Sequence, residues 1–184
     1  MQKVLIFIST VLLTSCQDKP KENAYYAPKD QAVFENKIYL DLDFEVIWKK
    51  IIEKNNRVFE TELKNEDLGK LILKLKPKNI LDYIDCGMMN EEIYVQYIDR
   101  IFESSLNIET SLSLSREKKN LTSINVISKY IFKSKETGTT WAFKTNESKL
   151  ILVGNPAFGA DPYRKCMPKH FLESSIIREI TALE

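Results

Sequence analysis

Between residues 107 and 153 apolar and polar side chains alternate almost without a break, and nothing else in the chain constrains its fold as tightly. Successive strand side chains point to opposite faces, so a period of two sustained over ten or so residues describes long strands with one buried face. Asn107 to Arg116, Leu121 to Lys133, Thr139 to Thr145 and Leu150 to Val153 read as such strands. Lys118-Lys119-Asn120 and Glu136-Thr137-Gly138 have the composition of turns, which makes the pairing antiparallel.

The flanking segments supply helices and a second hairpin. Lys37-Ile38-Tyr39-Leu40-Asp41-Leu42 alternates like a half-buried strand, and Asp43 is placed to cap a helix from Phe44 to about Lys54. Its apolar members Val46, Ile47 and Ile51, with Trp48 beside them, fall near one face. Residues 57 to 64 and 70 to 76 read as strands around the turn Asn65-Glu66-Asp67-Leu68-Gly69. Ile93, Tyr94, Tyr97, Ile98, Ile101 and Phe102 suit a helical face, so residues 91 to 103 are assigned to a helix. After a loop with Gly154, Pro156, Gly159 and Pro162, residues 169 to 183 form a closing helix with Pro168 near its start. Phe171, Leu172, Ile176, Ile177 and Ile180 are its expected buried stripe. The expected fold class is α+β, an antiparallel sheet packed by an N-terminal and a C-terminal helix within one domain over 37–184.

The N-terminus carries an address. Met1-Gln2-Lys3 is followed by about ten mostly apolar residues, Val4 to Leu13, too few for the roughly 20 that a spanning helix needs. The run ends in Leu13-Thr14-Ser15-Cys16. This resembles the lipobox of bacterial lipoproteins, in which the cysteine thiol receives diacylglycerol, the signal is removed before it and the new amine is often acylated. By that resemblance residues 1–15 are a signal peptide, Cys16 is the lipidated N-terminus, and the membrane is a partner through its acyl chains. Two such chains suffice for stable anchoring. In the enterobacterial sorting pattern Asp directly after the cysteine retains a lipoprotein in the inner membrane. Gln17 stands there instead, so the resemblance implies the outer membrane, facing periplasm or surface. Residues 16–36 are polar, hold two prolines and lack an apolar period, which reads as a flexible tether. Tyr25-Tyr26 within it has a docking reading and an incidental one, and two adjacent exposed tyrosines are more often incidental.

Composition removes several function classes. The 184 residues hold 27 Lys+Arg against 26 Asp+Glu; loss of residues 1–15 takes away Lys3 and no acid, leaving the side chains balanced. Such a chain has no field to draw a nucleic acid, and no nucleic-acid partner is expected. The single histidine rules out a multi-histidine metal centre. Nucleophile elbows, zinc-protease, phosphate-loop and dinucleotide motifs are all missing from the sequence, so no catalytic residue, resident metal or cofactor is assigned. Cys86 and Cys166 remain after lipidation, and an even pair in an exported chain suggests a disulfide. The alternative adds His170, four residues after Cys166, to make a three-ligand zinc or copper site.

The order of strand, helix, long antiparallel sheet and closing helix, together with Asp85-Cys86-Gly87 and the late Cys166 ahead of Glu173, resembles helix-grip domains. Such domains occur in the small accessory lipoprotein of the outer-membrane β-barrel assembly machine and in other envelope lipoproteins. The resemblance implies a non-enzymatic module that binds or assembles with an envelope protein partner. A different class of function, the binding of a small apolar ligand in a cavity between helix and sheet, is the alternative. A filled core with an open edge or aromatic patch favours the first; an apolar pocket lined by Phe and Ile favours the second.

Overall fold

The structure, a computed structural model, describes residues 25–55, 59–89, 92–93, 104–134, 138–152 and 163–182. In chain order they form β1 (Tyr25–Tyr26), β2 (Lys37–Leu40), α1 (Phe44–Asn55), β3 (Glu60–Asn65), β4 (Lys70–Leu75) and a 3-10 turn at Ile80–Asp82. There follow β5 (Ile84–Asp85), β6 (Met88–Met89), β7 (Glu92–Ile93), β8 (Ser105–Lys118), β9 (Leu121–Lys133), β10 (Thr140–Lys144), β11 (Lys149–Leu152), β12 (Tyr163–Pro168) and α2 (Phe171–Thr181). Among the described residues no helix is long and apolar enough to cross a membrane.

The alternating stretch forms the centre of the molecule. β8 and β9 pair antiparallel from Ser105↔Lys133 to Lys118↔Leu121, and Asn120 takes the left-handed conformation their tight turn requires. β4 and then β3 extend the sheet beyond β8. On its other side β9 carries β2 against Thr122–Asn125 and β10 against Lys129–Lys133. Within the hairpin the register sets Leu106, Ile108, Thr110, Leu112 and Leu114 opposite Phe132, Tyr130, Ser128, Val126 and Ile124, and all ten are buried. The alternate residues, among them Ser111, Ser113, Asn125 and Ile127, lie on the other face, where Ile127 is exposed.

Both helices bury their apolar stripes in the one core cluster that covers the first face. In α1 the stripe is Phe44, Ile47, Trp48 and Ile51, the i, i+3, i+4, i+7 spacing of a single helical face, while Val46 points outward. Its first turn is tied to β8, where Arg116 pairs with Glu45 at 2.5 Å and lies 4.1 Å over the Phe44 ring. The β3–β4 turn presses on the same strand. Gly69, at φ +60, accepts the Leu114 amide, and a Cβ there would stand 2.1 Å from the Leu114 carbonyl oxygen.

The fold is thus α+β, mostly antiparallel sheet with two helices, and three expectations need correction. Residues 163–168, expected as loop, form β12, which pairs with β11 on one side and β5 on the other. Of residues 91–103, expected as a helix, Glu92–Ile93 form strand β7 beside β6, and the rest lie outside the described residues. Residues 25–36, expected as tether, run along the body instead: β1 pairs with β6, and the Asn36 carbonyl accepts the Val126 amide at 2.8 Å.

Candidate functional site

The strap formed by residues 25–36 crosses the molecule where the last strand meets the last helix, and three of its side chains are held there. Cys86, just after β5, and Cys166, in β12, are joined in a disulfide, and both are buried. The Tyr25 hydroxyl sits between the two half-cystine segments. It accepts the Lys165 amide at 3.0 Å and lies 3.1 Å from the Cys86 carbonyl oxygen, to which it donates. Arg164 places its guanidinium 4.5 Å from the centre of the Tyr25 ring, a cation–π contact. Burial pushes the Tyr25 hydroxyl above the usual phenol range, against the opposing pull of the Lys165 amide and the Arg164 charge. Gly87, at φ +87, makes the close approach possible: a Cβ there would stand 2.3 Å from the Tyr26 carbonyl oxygen.

Further along, Asp30 pairs with the Lys165 ammonium. Phe34 is then clamped by Asn146 in the turn between β10 and β11. The Phe34 amide donates to Asn146 Oδ1 at 2.7 Å, and Asn146 Nδ2 donates to the Phe34 carbonyl at 3.0 Å. The Phe34 ring stacks on His170 with centroids 4.9 Å apart. His170 is 7% exposed and has φ 55 as the residue that opens α2. Its Nδ1 is buried without a hydrogen-bond partner among the described residues. A cavity of about 110 Å³ lies under the strap here, lined by Gln31, Val33, Asn146, Ser148, Met167 and His170 among others.

Beneath His170 lies a buried acid. Glu173 is 0% exposed. The Tyr130 hydroxyl lies 2.7 and 2.9 Å from its two carboxylate oxygens, and the Thr145 hydroxyl donates to Oε1 at 2.8 Å. Thr145 Oγ1 also accepts the Ser128 amide at 2.8 Å, and the Ser128 and Thr110 hydroxyls are 2.9 Å apart. Burial, reinforced by the Glu173 charge and hydrogen bond, pushes the Tyr130 hydroxyl far above the usual phenol range. Burial pushes the His170 imidazole below its ordinary range, and the Glu173 charge opposes that only in part.

The His170 shift gives a pH dependence. An unfolded histidine takes up a proton near pH 6.5, whereas the folded one resists it until lower pH. The unfolded state therefore binds more protons below about pH 6.5, and stability falls as the pH is lowered through that range. His170→Asn, which tolerates the left-handed backbone, should flatten the loss. Thermal unfolding of both proteins at pH 7.5 and 5.5 measures it; an equal fall in Tm for both would show that His170 has no part.

The sequence-predicted residues fall out as follows. Cys16 lies outside the described residues. Cys86 and Cys166 come together, and with both sulfurs in one bond the three-ligand alternative with His170 loses its thiolates. Cys166 also lies on a strand and His170 opens the following helix, so the two do not share a helix face. Among the described residues no group of three or more His, Cys, Asp or Glu is arranged to hold a metal ion. Sequence reasoning missed Phe34, took Tyr25 as incidental and gave Glu173 no role beyond its place after Cys166. Only Glu173 left a usable signal, because a wheel drawn through Leu172, Ile176 and Ile180 puts it on the buried stripe and turns Phe171, 56% exposed, away. No protein-family model matches this chain, and none of the curated proteins is similar to it in sequence.

Proposed function

We propose that this chain is a bacterial envelope lipoprotein, anchored through acylated Cys16 in the outer membrane, whose helix-grip domain is a non-enzymatic module that binds an envelope protein partner. The observation that carries the reading is the contrast between the two sides of the central sheet. Between sheet and helices the interior is filled by Tyr130, Phe132, Phe143, Trp48, Ile47 and their neighbours. Among the described residues no helix packs on the other face. A groove of about 240 Å³ lies along it, lined by Lys74, Asn107, Glu109 and Ile131 among others, and β3 ends the sheet among the described residues. A filled interior supports recognition on the outside of the sheet over enclosure of an apolar ligand.

The test is crosslinking of the tagged, full-length protein in intact cells, followed by detergent isolation. A reproducible envelope protein in stoichiometric amount, lost from Ile127→Lys and Glu109→Lys variants of the sheet's other face, is the expected result. A partner indifferent to both substitutions, or recovery with only a lipid or small molecule, overturns the reading. The anchor is tested separately: Cys16→Ser should lower the mass by the acyl groups and release the protein from the membrane fraction.

A further inference from the structure

We propose that the outward face of the small ladder formed by β1, β6 and β7 rests on the membrane surface, with Tyr26 and Met88 in the lipid headgroup region. The proposal rests on the anchor reading above and adds which side of the domain meets the bilayer.

The argument starts from the alternation of two adjacent tyrosines. Tyr25 turns inward and is fixed to the backbone on both sides of the disulfide. Tyr26, one residue on, must then point away from the body, and it is 54% exposed. Its register partner across the ladder is Met88, 39% exposed, so the two side chains are neighbours on the same outer face. A tyrosine beside a flexible thioether is suited to the boundary between acyl chains and water, where an aromatic ring with a polar tip is favoured.

The occupant follows from the length of chain that leads to this point. Nine residue steps separate Cys16 from Tyr25. A fully extended chain covers at most ~3.6 Å per residue, so Tyr25 lies within roughly 30 Å of the acylated residue. Because the strap is clamped onward from Tyr25, at Asp30, Phe34 and Asn36, the tether ends at this ladder and not at residue 37. Two side chains alone would bind a membrane too weakly to recruit a free protein. A tether this short converts that contact into an intramolecular one at high effective concentration. The mature chain's balanced charge leaves no long-range attraction to compete with or replace this apolar contact.

The full-length lipidated protein, reconstituted in vesicles of phosphatidylethanolamine and phosphatidylglycerol with a brominated-chain fraction, provides the test. Tryptophan is introduced as Tyr26→Trp, as Met88→Trp and, in the β3–β4 turn of the other sheet, as Leu68→Trp, with the unsubstituted protein as baseline for Trp48 and Trp141. Emission added at positions 26 and 88 should be quenched several-fold more by brominated lipid than emission added at 68. Equal quenching at all three positions, or none at 26 and 88, overturns the proposal. So does a concentration-dependent dimer that shields position 26 without quenching, which would put a second copy on this face. Mass spectrometry of the same sample separates the two claims. Acylated protein without quenching sinks the surface alone, and unacylated Cys16 sinks the anchor and the surface together.

Discussion

Replacing Cys86 and Cys166 together by alanine is expected to remove about 4 kcal/mol of unfolding free energy, a large share of the 5–15 kcal/mol typical of a domain. The bond joins residues 80 apart, and closing a loop of that length in the unfolded chain corresponds to about 4.5 kcal/mol in the chain-entropy account. Part of the effect is local. The two half-cystine segments carry the acceptor and the donor that hold the Tyr25 hydroxyl, so their separation loosens both of its bonds at once. Urea unfolding of the oxidised protein and the double variant measures the global cost; amide exchange locates it. Exchange at 25–34 should accelerate well before exchange in β8 and β9, whose ladder does not pass through the disulfide. An unchanged urea midpoint would mean that the bond contributes nothing to the fold. A lowered midpoint with undisturbed exchange in the strap would mean that Tyr25 is held independently of it.

How much of this was legible in the sequence follows from the range of the interactions involved. β8, β9, β10, the β3–β4 hairpin and α1 announce themselves because burial on one face imposes a period that local reading detects. The disulfide is legible for a different reason, since two cysteines left over in a chain read as exported suggest a pair. β12 is hidden because Tyr163-Arg164-Lys165-Cys166-Met167-Pro168 lies between two neighbours, so pairing and the disulfide determine it and its own pattern contributes little. The strap is hidden more completely. Tyr25 is bonded to residues 61 and 140 positions away, and Phe34 to one 112 away, so the composition of 16–36 carries no trace of what holds it. Hydropathy also misleads at the site, where it favours Phe171 over Glu173 for the core. Helical geometry puts Glu173 inside, and Tyr130 and Thr145 make that burial tolerable.

That buried carboxylate carries the other large effect. Glu173→Ala is expected to cost about 3–5 kcal/mol, because it takes the carboxylate acceptor from the Tyr130 and Thr145 hydroxyls at ~1–3 kcal/mol each, leaving Thr145 only the longer bond to the Ser128 carbonyl, and leaves a void beneath α2. Tyr130→Phe removes one charge-assisted donor while keeping the ring stacked on Phe143, and should cost about 1.5–3 kcal/mol. The decisive measurement is the double variant. If the hydroxyl–carboxylate bond is the interaction lost in each single variant, Glu173→Ala in a Tyr130→Phe background costs less than in the parent by about 1–3 kcal/mol. Strict additivity would mean that each residue acts by packing alone. Alkaline unfolding supplies an independent readout. The unfolded chain releases a tyrosine proton near pH 10, whereas burial and the neighbouring carboxylate keep Tyr130 protonated in the folded protein. The folded state binds more protons above about pH 10, so stability declines as the pH rises through that range, and Tyr130→Phe should make the decline shallower. Burial of the phenol contributes to that decline as well, so the alkaline slope reports the buried hydroxyl and the non-additivity reports its partner. A shallower decline together with non-additivity therefore identifies the Tyr130–Glu173 bond as the polar tie that fixes α2 to the sheet, directly beneath the point where His170 receives the strap.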